Sequence, residues 1–181
     1  MNKSITLLLV IVISVFIFGC SFNLSPRERV EELLNKYIKN DREIMKELNI
    51  YIKKQELNEY QKELYKEVIL DEYSNLKYEI KRESIKKDKA EVKVRLKVKD
   101  LYKIENESIK YLYDHPKEFL TEGKFNQNKF LNYKLNQMKE RNDLINYIVK
   151  FKLTRKNDVW FINKLSDETI KKIHGMYEYE L

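Results

Sequence analysis

The sequence predicts an α+β domain in which N-terminal helices pack on an antiparallel sheet of about four strands. Three observations predict this class. Apolar residues recur at helical spacing over residues 26–73. The period then changes to two over residues 76–99, where apolar and charged residues alternate. A second alternating pair, residues 145–154 and 159–165, follows a helical stretch, so two hairpins separated by a helical insertion are expected.

Composition limits the kinds of site that the chain could carry. Its 181 residues suffice for one domain with a hydrophobic core. The net charge is +7, and glycine and proline are scarce, with three and two residues. The single cysteine excludes an internal disulfide. No histidine–cysteine cluster has metal-ligand spacing, and we predict neither a metal nor another cofactor.

The chain begins with an apolar leader. Lys3 supplies a positive start, and residues 5–18 are apolar except for Thr6 and Ser14. This stretch is shorter than the roughly 20 residues that span a bilayer as a helix. A short apolar stretch followed by a small residue, here Gly19, is typical of a signal peptide that is removed after export.

The residues Ile17-Phe18-Gly19-Cys20 resemble the lipobox of bacterial lipoproteins. The resemblance implies that diacylglycerol is attached to the Cys20 thiol and that the chain is cleaved between Gly19 and Cys20. It also implies a protein anchored in the cell membrane on the extracytoplasmic face, since two acyl chains hold a protein stably on a bilayer. An ordinary signal peptide, or an uncleaved signal anchor with an incidental cysteine, is the alternative interpretation.

These features divide the chain into three parts. Residues 1–19 are the predicted signal peptide, residues 20–24 a lipidated tether, and residues 25–181 a single α+β domain. The domain starts with a predicted helix N-terminus, in which Ser25 is the N-cap and Glu28 closes a capping box. Because the tether spans at most ~14 Å, the domain is expected almost at the lipid surface.

The first half of the domain is predicted to be helical, with three successive apolar stripes. Neither glycine nor proline interrupts the stripes, and we place the helix breaks at Asn40-Asp41 and near Asn58. A coiled coil is the competing interpretation, since much of the spacing also fits a period of 3.5.

The second half is predicted to combine strands and helices. The expected elements are a hairpin over 76–99, two helices within 103–141 that break around Pro116 and Gly123, a second hairpin that turns at 156–158, and a last helix over 167–174 that Gly175 ends.

Three segments, residues 25–31, 90–94 and 157–162, carry a second resemblance. They supply a helix start, an alternating strand, and a turn followed by a tryptophan strand. The combination resembles the nuclear transport factor 2-like, or cystatin-like, domains of small lipoproteins from low-GC Gram-positive bacteria. The resemblance implies a curved sheet that cups helices, sometimes around a cavity. It implies no function, because such folds carry many different sites.

No residue set in the sequence points to catalysis. His115 and His174 both lie where a helix is predicted to end, a position that the helix dipole favours for histidine. Motifs for a nucleophile with its base, a phosphate loop or paired catalytic carboxylates are lacking. We therefore expect no enzyme, but a non-catalytic domain that binds an unknown protein or small molecule. The alternatives are a cell-envelope enzyme that uses a cavity in the same fold, and a helical interaction protein built on residues 26–72.

The predicted first hairpin carries most of the net positive charge of the chain. Between Leu76 and Lys99 there are ten Lys/Arg and four Asp/Glu residues. Lys93, Arg95, Lys97 and Lys99 alternate onto one strand face, and we expect them to contact anionic lipid or an anionic wall polymer. A merely solvated face that blocks sheet aggregation is the competing interpretation. Nucleic acid is not an expected partner, because no aromatic residues interleave with the basic ones.

Overall fold

The computed structural model describes residues 24–180. Over these residues the chain forms six α-helices, a four-stranded antiparallel sheet and a small two-stranded hairpin, which confirms the predicted α+β class. The α-helices and strands are, in chain order, α1 Pro26–Ile38, α2 Arg42–Lys53, α3 Glu59–Asn75, β1 Lys77–Lys86, β2 Lys89–Lys99, α4 Leu101–Asp114, β3 Leu120–Thr121, β4 Lys124–Phe125, α5 Gln127–Glu140, β5 Leu144–Lys156, β6 Val159–Ile162 and α6 Asp167–Ile173.

Side-chain caps set the starts of the first three helices. At α1, the Ser25 hydroxyl accepts a hydrogen bond from the Glu28 N–H at 3.2 Å, and the Glu28 carboxylate accepts one from the Ser25 N–H at 2.7 Å. Asn58 and Gln61 make the same reciprocal pair at α3, and Asp41 caps α2. The helix breaks therefore lie at the predicted positions. Since α1, α2 and α3 are separate helices, the coiled-coil alternative is wrong.

The four-stranded sheet has the order β1-β2-β5-β6, and all its neighbouring strands are antiparallel. The two predicted hairpins form its two halves, and β2 pairs with β5 along its whole length. The β1–β2 register shifts between Ile80 and Arg82, so that Lys81 forms a bulge. The helical insertion consists of α4, the 3-10 helix Pro116–Phe119, the β3–β4 hairpin and α5.

The helices that contact the four-stranded sheet, α1, α3 and α6, cover one of its faces. On that face β2 contributes a continuous row of buried apolar side chains, Ala90, Val92, Val94, Leu96 and Val98. The helix α5 packs against both α3 and α4 at the side of this layer. The domain thus has two layers, a helical one and the sheet, and the second face of the sheet is left to solvent.

Candidate functional site: the open face of the sheet

The solvent-facing side of the four-stranded sheet, here called the open face, is strongly basic. Along β2 every second residue is buried up to Val98, and the residues between them point to the open face. The register of β1 and β5 with β2 identifies the side chains that share this face, of which nine are cationic and two anionic. They are Lys77, Glu79, Arg82, Ser84, Lys86, Lys89, Glu91, Lys93, Arg95, Lys97, Asn146, Ile148, Lys150, Lys152 and Thr154.

The two glutamates of the open face are already engaged by cations. Arg95 Nη1 lies 3.3 Å from Glu79 Oε2, and Lys81 Nζ lies 2.5 Å from Glu79 Oε1. Lys150 Nζ lies 3.5 Å from Glu91 Oε1 on the neighbouring strand. Because these ion pairs use both carboxylates, the remaining lysines leave a net positive surface for an incoming group.

The structure places three of the four predicted contact residues on the open face. Arg95 and Lys97 are exposed and Lys93 is half-buried, as the strand alternation predicts. Their contact with an anion stays a prediction.

Lys99 does not belong to the open face. Its side chain is 4% exposed, and its ammonium lies 3.2 Å from Asp71 Oδ2 and 3.0 Å from the carbonyl oxygen of Met138. Val98 is buried as well, so the alternation stops where β2 ends and the chain enters α4. The prediction that Lys99 contacts an external anion is therefore wrong, because this lysine ties the end of the strand to α3 and α5.

The sequence interpretation missed the contribution of β5. Lys150 and Lys152 lie on the open face, and β5 contains four Lys/Arg and no acidic residue. The alternation of β5 could have revealed this row, but only the register shows that it lies beside the basic row of β2. Two large apolar side chains are also exposed here, Ile148 at 44% and, on β6, Phe161 at 40%.

A buried polar cluster lies on the opposite side of the sheet. His174 is fully buried, and its Nε2 is 2.7 Å from the Tyr73 hydroxyl oxygen. Burial lowers the pKa of His174 to about 3, so the ring is neutral. Burial likewise raises the pKa of the neighbouring Glu72 to about 8, against the lowering effect of a hydrogen bond from the Lys99 N–H. These groups are enclosed in the core and are not open to a substrate.

His115 has a different setting at the end of α4. It is exposed, and its ring stacks on Tyr111 with a centroid distance of 4.1 Å. Tyr111 stacks in turn on Tyr133 at 4.9 Å. Both histidines thus lie at helix C-caps, as expected, His115 after α4 and His174 after α6.

A shallow depression of about 400 Å³ lies between the β3–β4 hairpin, the start of α5 and the loop after α2. Its titratable lining residues are Glu56 and Lys124, and both are exposed to solvent. Over residues 24–180 no group of three or more His, Cys, Asp or Glu side chains could hold a metal ion.

Gly19 and Cys20, the predicted cleavage and lipid-attachment residues, lie outside the residues that the structure describes, as does the predicted signal peptide. Of the helices within residues 24–180, none combines the length and the apolar character needed to cross a membrane.

In a comparison with known families, residues 54–77 match the KRAB box. The KRAB box is a repressor domain of eukaryotic zinc-finger proteins. In the structure the matched residues form the loop after α2, all of α3 and the entry into β1. The match covers well under half of the chain and does not by itself assign the chain to a family.

The KRAB-box match nevertheless points away from a bacterial lipoprotein. On this finding the predicted resemblance to bacterial lipoproteins with a nuclear transport factor 2-like domain is wrong. The predicted location, anchored by lipid on the extracytoplasmic face of a cell membrane, is wrong for the same reason, because a KRAB domain implies a nuclear eukaryotic protein. No curated protein and no solved structure was found to match the chain.

Proposed function

We propose that this protein is a non-catalytic binding domain whose open face docks an acidic segment of another protein. The observation that carries the proposal is the uncovered sheet face, on which nine cationic side chains face two anionic ones. A surface of one sign raises the local concentration of an oppositely charged partner and speeds its association. The expected partner chemistry is therefore acidic.

Two features favour a protein partner over a nucleic acid. The outward side chains of β1, β2 and β5 include no aromatic residue on which bases could stack, and β6 adds a single ring, that of Phe161. The exposed Ile148 and Phe161 instead offer apolar contact area at two separate places on the face. Apolar anchors surrounded by charged residues are typical of protein interfaces.

The buried and exposed titratable groups also favour binding over catalysis. His174 is enclosed in the core, and His115 is stacked on an exposed tyrosine. Neither lies beside Glu56 and Lys124 in the depression, so the titratable groups do not converge on one cavity. A KRAB box usually mediates protein interaction, which is the class of function proposed here.

The test is the affinity of the full chain for a fluorescein-labelled, glutamate-rich peptide, followed by fluorescence anisotropy at low and physiological salt. We expect the variant Lys93→Glu/Arg95→Glu/Lys97→Glu to bind at least about tenfold more weakly, since a tenfold change corresponds to only about 1.4 kcal/mol. Binding should also weaken as salt is raised, because surface charges are screened.

The matched control reverses three exposed lysines of the helical layer, Lys46→Glu/Lys53→Glu/Lys110→Glu, and should bind as the unchanged chain does. Equal losses in the two variants would show that net charge alone matters and would refute the open face as the binding site. Tighter binding of duplex DNA than of the acidic peptide would refute a protein partner. Circular dichroism of both variants establishes that they are folded.

A further inference from the structure

We infer that one row of the open face, formed by Arg82, Lys93 and Lys150, binds a phosphoryl group carried by the acidic partner. This inference rests on the function proposed above and specifies the chemistry of the partner. The three residues lie side by side on three adjacent strands, because Arg82 of β1 is opposite Lys93 of β2, and Lys93 is opposite Lys150 of β5.

Such a row is unfavourable for the fold by itself. Like charges directly opposite each other on neighbouring strands destabilise a sheet. Lys150 is relieved in part by Glu91 at 3.5 Å, but within residues 24–180 no carboxylate pairs with Arg82 or Lys93. A row that costs stability in the free protein is explained if a ligand supplies the missing negative charge.

The bulge in β1 determines which cationic side chain of that strand lies in the row. Two residues, Lys81 and Arg82, oppose the single residue Lys93 at this point. The ammonium of Lys81 is held by Glu79, whereas among the described residues no carboxylate pairs with the guanidinium of Arg82. The bulge therefore brings a planar, five-donor group beside Lys93, and such a fork can bind two phosphoryl oxygens at once.

Protection against aggregation does not account for the row. Lysines placed on edge strands prevent sheets from pairing with one another. In the order β1-β2-β5-β6, however, Lys93 and Lys150 lie on the two internal strands, whose backbone groups are already paired. Protection of an exposed strand edge therefore does not explain the charges of Lys93 and Lys150.

The dimensions of the row suit a single tetrahedral dianion. Neighbouring strands are about 4.8 Å apart, so the outer two residues of the row are separated by about 10 Å at the backbone. Arginine and lysine side chains can converge from that separation onto one group above Lys93. A phosphoryl group brings a charge of about −1.5 to −2 and three acceptor oxygens, which matches three cationic donors better than one carboxylate does.

The experiment compares three labelled, glutamate-rich peptides that differ at one central position, which holds phosphoserine, serine or glutamate. For the full chain we expect the phosphoserine peptide to bind at least about tenfold more tightly than the serine peptide. Glutamate should restore little of this preference, and millimolar inorganic phosphate should compete. Equal affinity for the phosphoserine and glutamate peptides would overturn the inference, since charge alone would then suffice.

The row is tested with Arg82→Gln/Lys93→Gln/Lys150→Gln against a matched control on the same face, Lys77→Gln/Lys97→Gln/Lys152→Gln. The first variant should reduce the preference for phosphoserine below about threefold. The control should weaken all three peptides alike and keep the preference. Loss of the preference in both variants to the same degree would overturn the assignment to this row.

The two proposals fail in different ways. If the full chain binds the serine and phosphoserine peptides equally well, the phosphoryl site is refuted and the acidic-partner function stands. If it binds none of the three peptides, the acidic-partner function is refuted and the phosphoryl site falls with it.

Discussion

Replacing Glu72 with glutamine should remove most of the loss of stability that we expect for this protein as the pH rises from about 4.5 to 8. Glu72 lies on α3 and is 1% exposed. One carboxylate oxygen accepts a hydrogen bond from the Lys99 N–H at 2.8 Å, and the other has no hydrogen-bond partner within residues 24–180. Burial raises the pKa of this carboxyl from its ordinary 4.5 to about 8.

The sign of the effect follows from proton binding. Between pH 4.5 and 8 the folded protein keeps the Glu72 proton, whereas the unfolded chain has lost it. The folded state therefore binds more protons, and the free energy of unfolding falls as the pH rises through this window. Each pH unit is worth up to ~1.4 kcal/mol, so the whole window amounts to at most about 5 kcal/mol. Glutamine is neutral at every pH and retains an oxygen that can accept the Lys99 N–H.

The assay is urea unfolding of the full chain at pH 5 to 9, followed by the fluorescence of Trp160, the single tryptophan. The two proteins should have similar stability near pH 5, and Glu72→Gln should be the more stable by a few kcal/mol at pH 8. On the acid side both should lose stability below pH 6.5, because burial lowers the pKa of His174 to about 3 and both contain that histidine. A stability difference that is the same at pH 5 and pH 8 would refute the reasoning.

Three further substitutions test other parts of the structure, each by urea unfolding. Lys134→Met should lower the free energy of unfolding by about 3–5 kcal/mol, because the buried carboxylate of Glu105, which lies 2.7 Å from the Lys134 ammonium, would lose its partner. The double variant Lys134→Met/Glu105→Leu should recover most of this loss. If it recovers none, the two residues do not form a direct pair. Gly175→Ala should be strongly destabilising, since a Cβ there would lie 1.9 Å from a backbone oxygen, whereas Gly123→Ala, also at positive φ but with open space around it, should cost only about 1–2 kcal/mol. Lys93→Glu should raise the free energy of unfolding by about 0.2–1 kcal/mol through attraction to its cationic cross-strand neighbours, while it weakens the binding of acidic peptides. A loss of stability would contradict the unfavourable row.

Local patterns in the sequence were sufficient to predict the α-helices and the four strands of the main sheet. The Ser25 and Asn58 caps depend on residues three positions apart, and the alternation of β2 depends on neighbours in sequence. The β3–β4 hairpin escaped prediction because two-residue strands are too short to show a period.

The residues of the open face could be predicted only in part from the sequence, because the composition of this face depends on the register in which β1 and β5 pair with β2. Lys93, Arg95 and Lys97 follow from alternation within one strand, but the place of Lys150 beside Lys93 is a property of two strands that are distant in sequence. The bulge at Lys81 shifts the pairing of β1 without a glycine or another signal. Lys99 was misassigned because, as the last residue of β2, it continues the alternation but its side chain is buried by contacts with α3 and α5.

The position of α3 bears on how the segment that matches the KRAB box can be studied. Leu64, Val68 and Ile69 of this helix are at most 5% exposed, and they are covered only by the remainder of the domain. A peptide cut out to contain residues 54–77 alone would present these side chains to water and would have no sheet to fold against. Pull-down or reporter assays with such a fragment would therefore measure non-specific binding to the exposed apolar side chains of an isolated helix. The intact polypeptide is the appropriate bait.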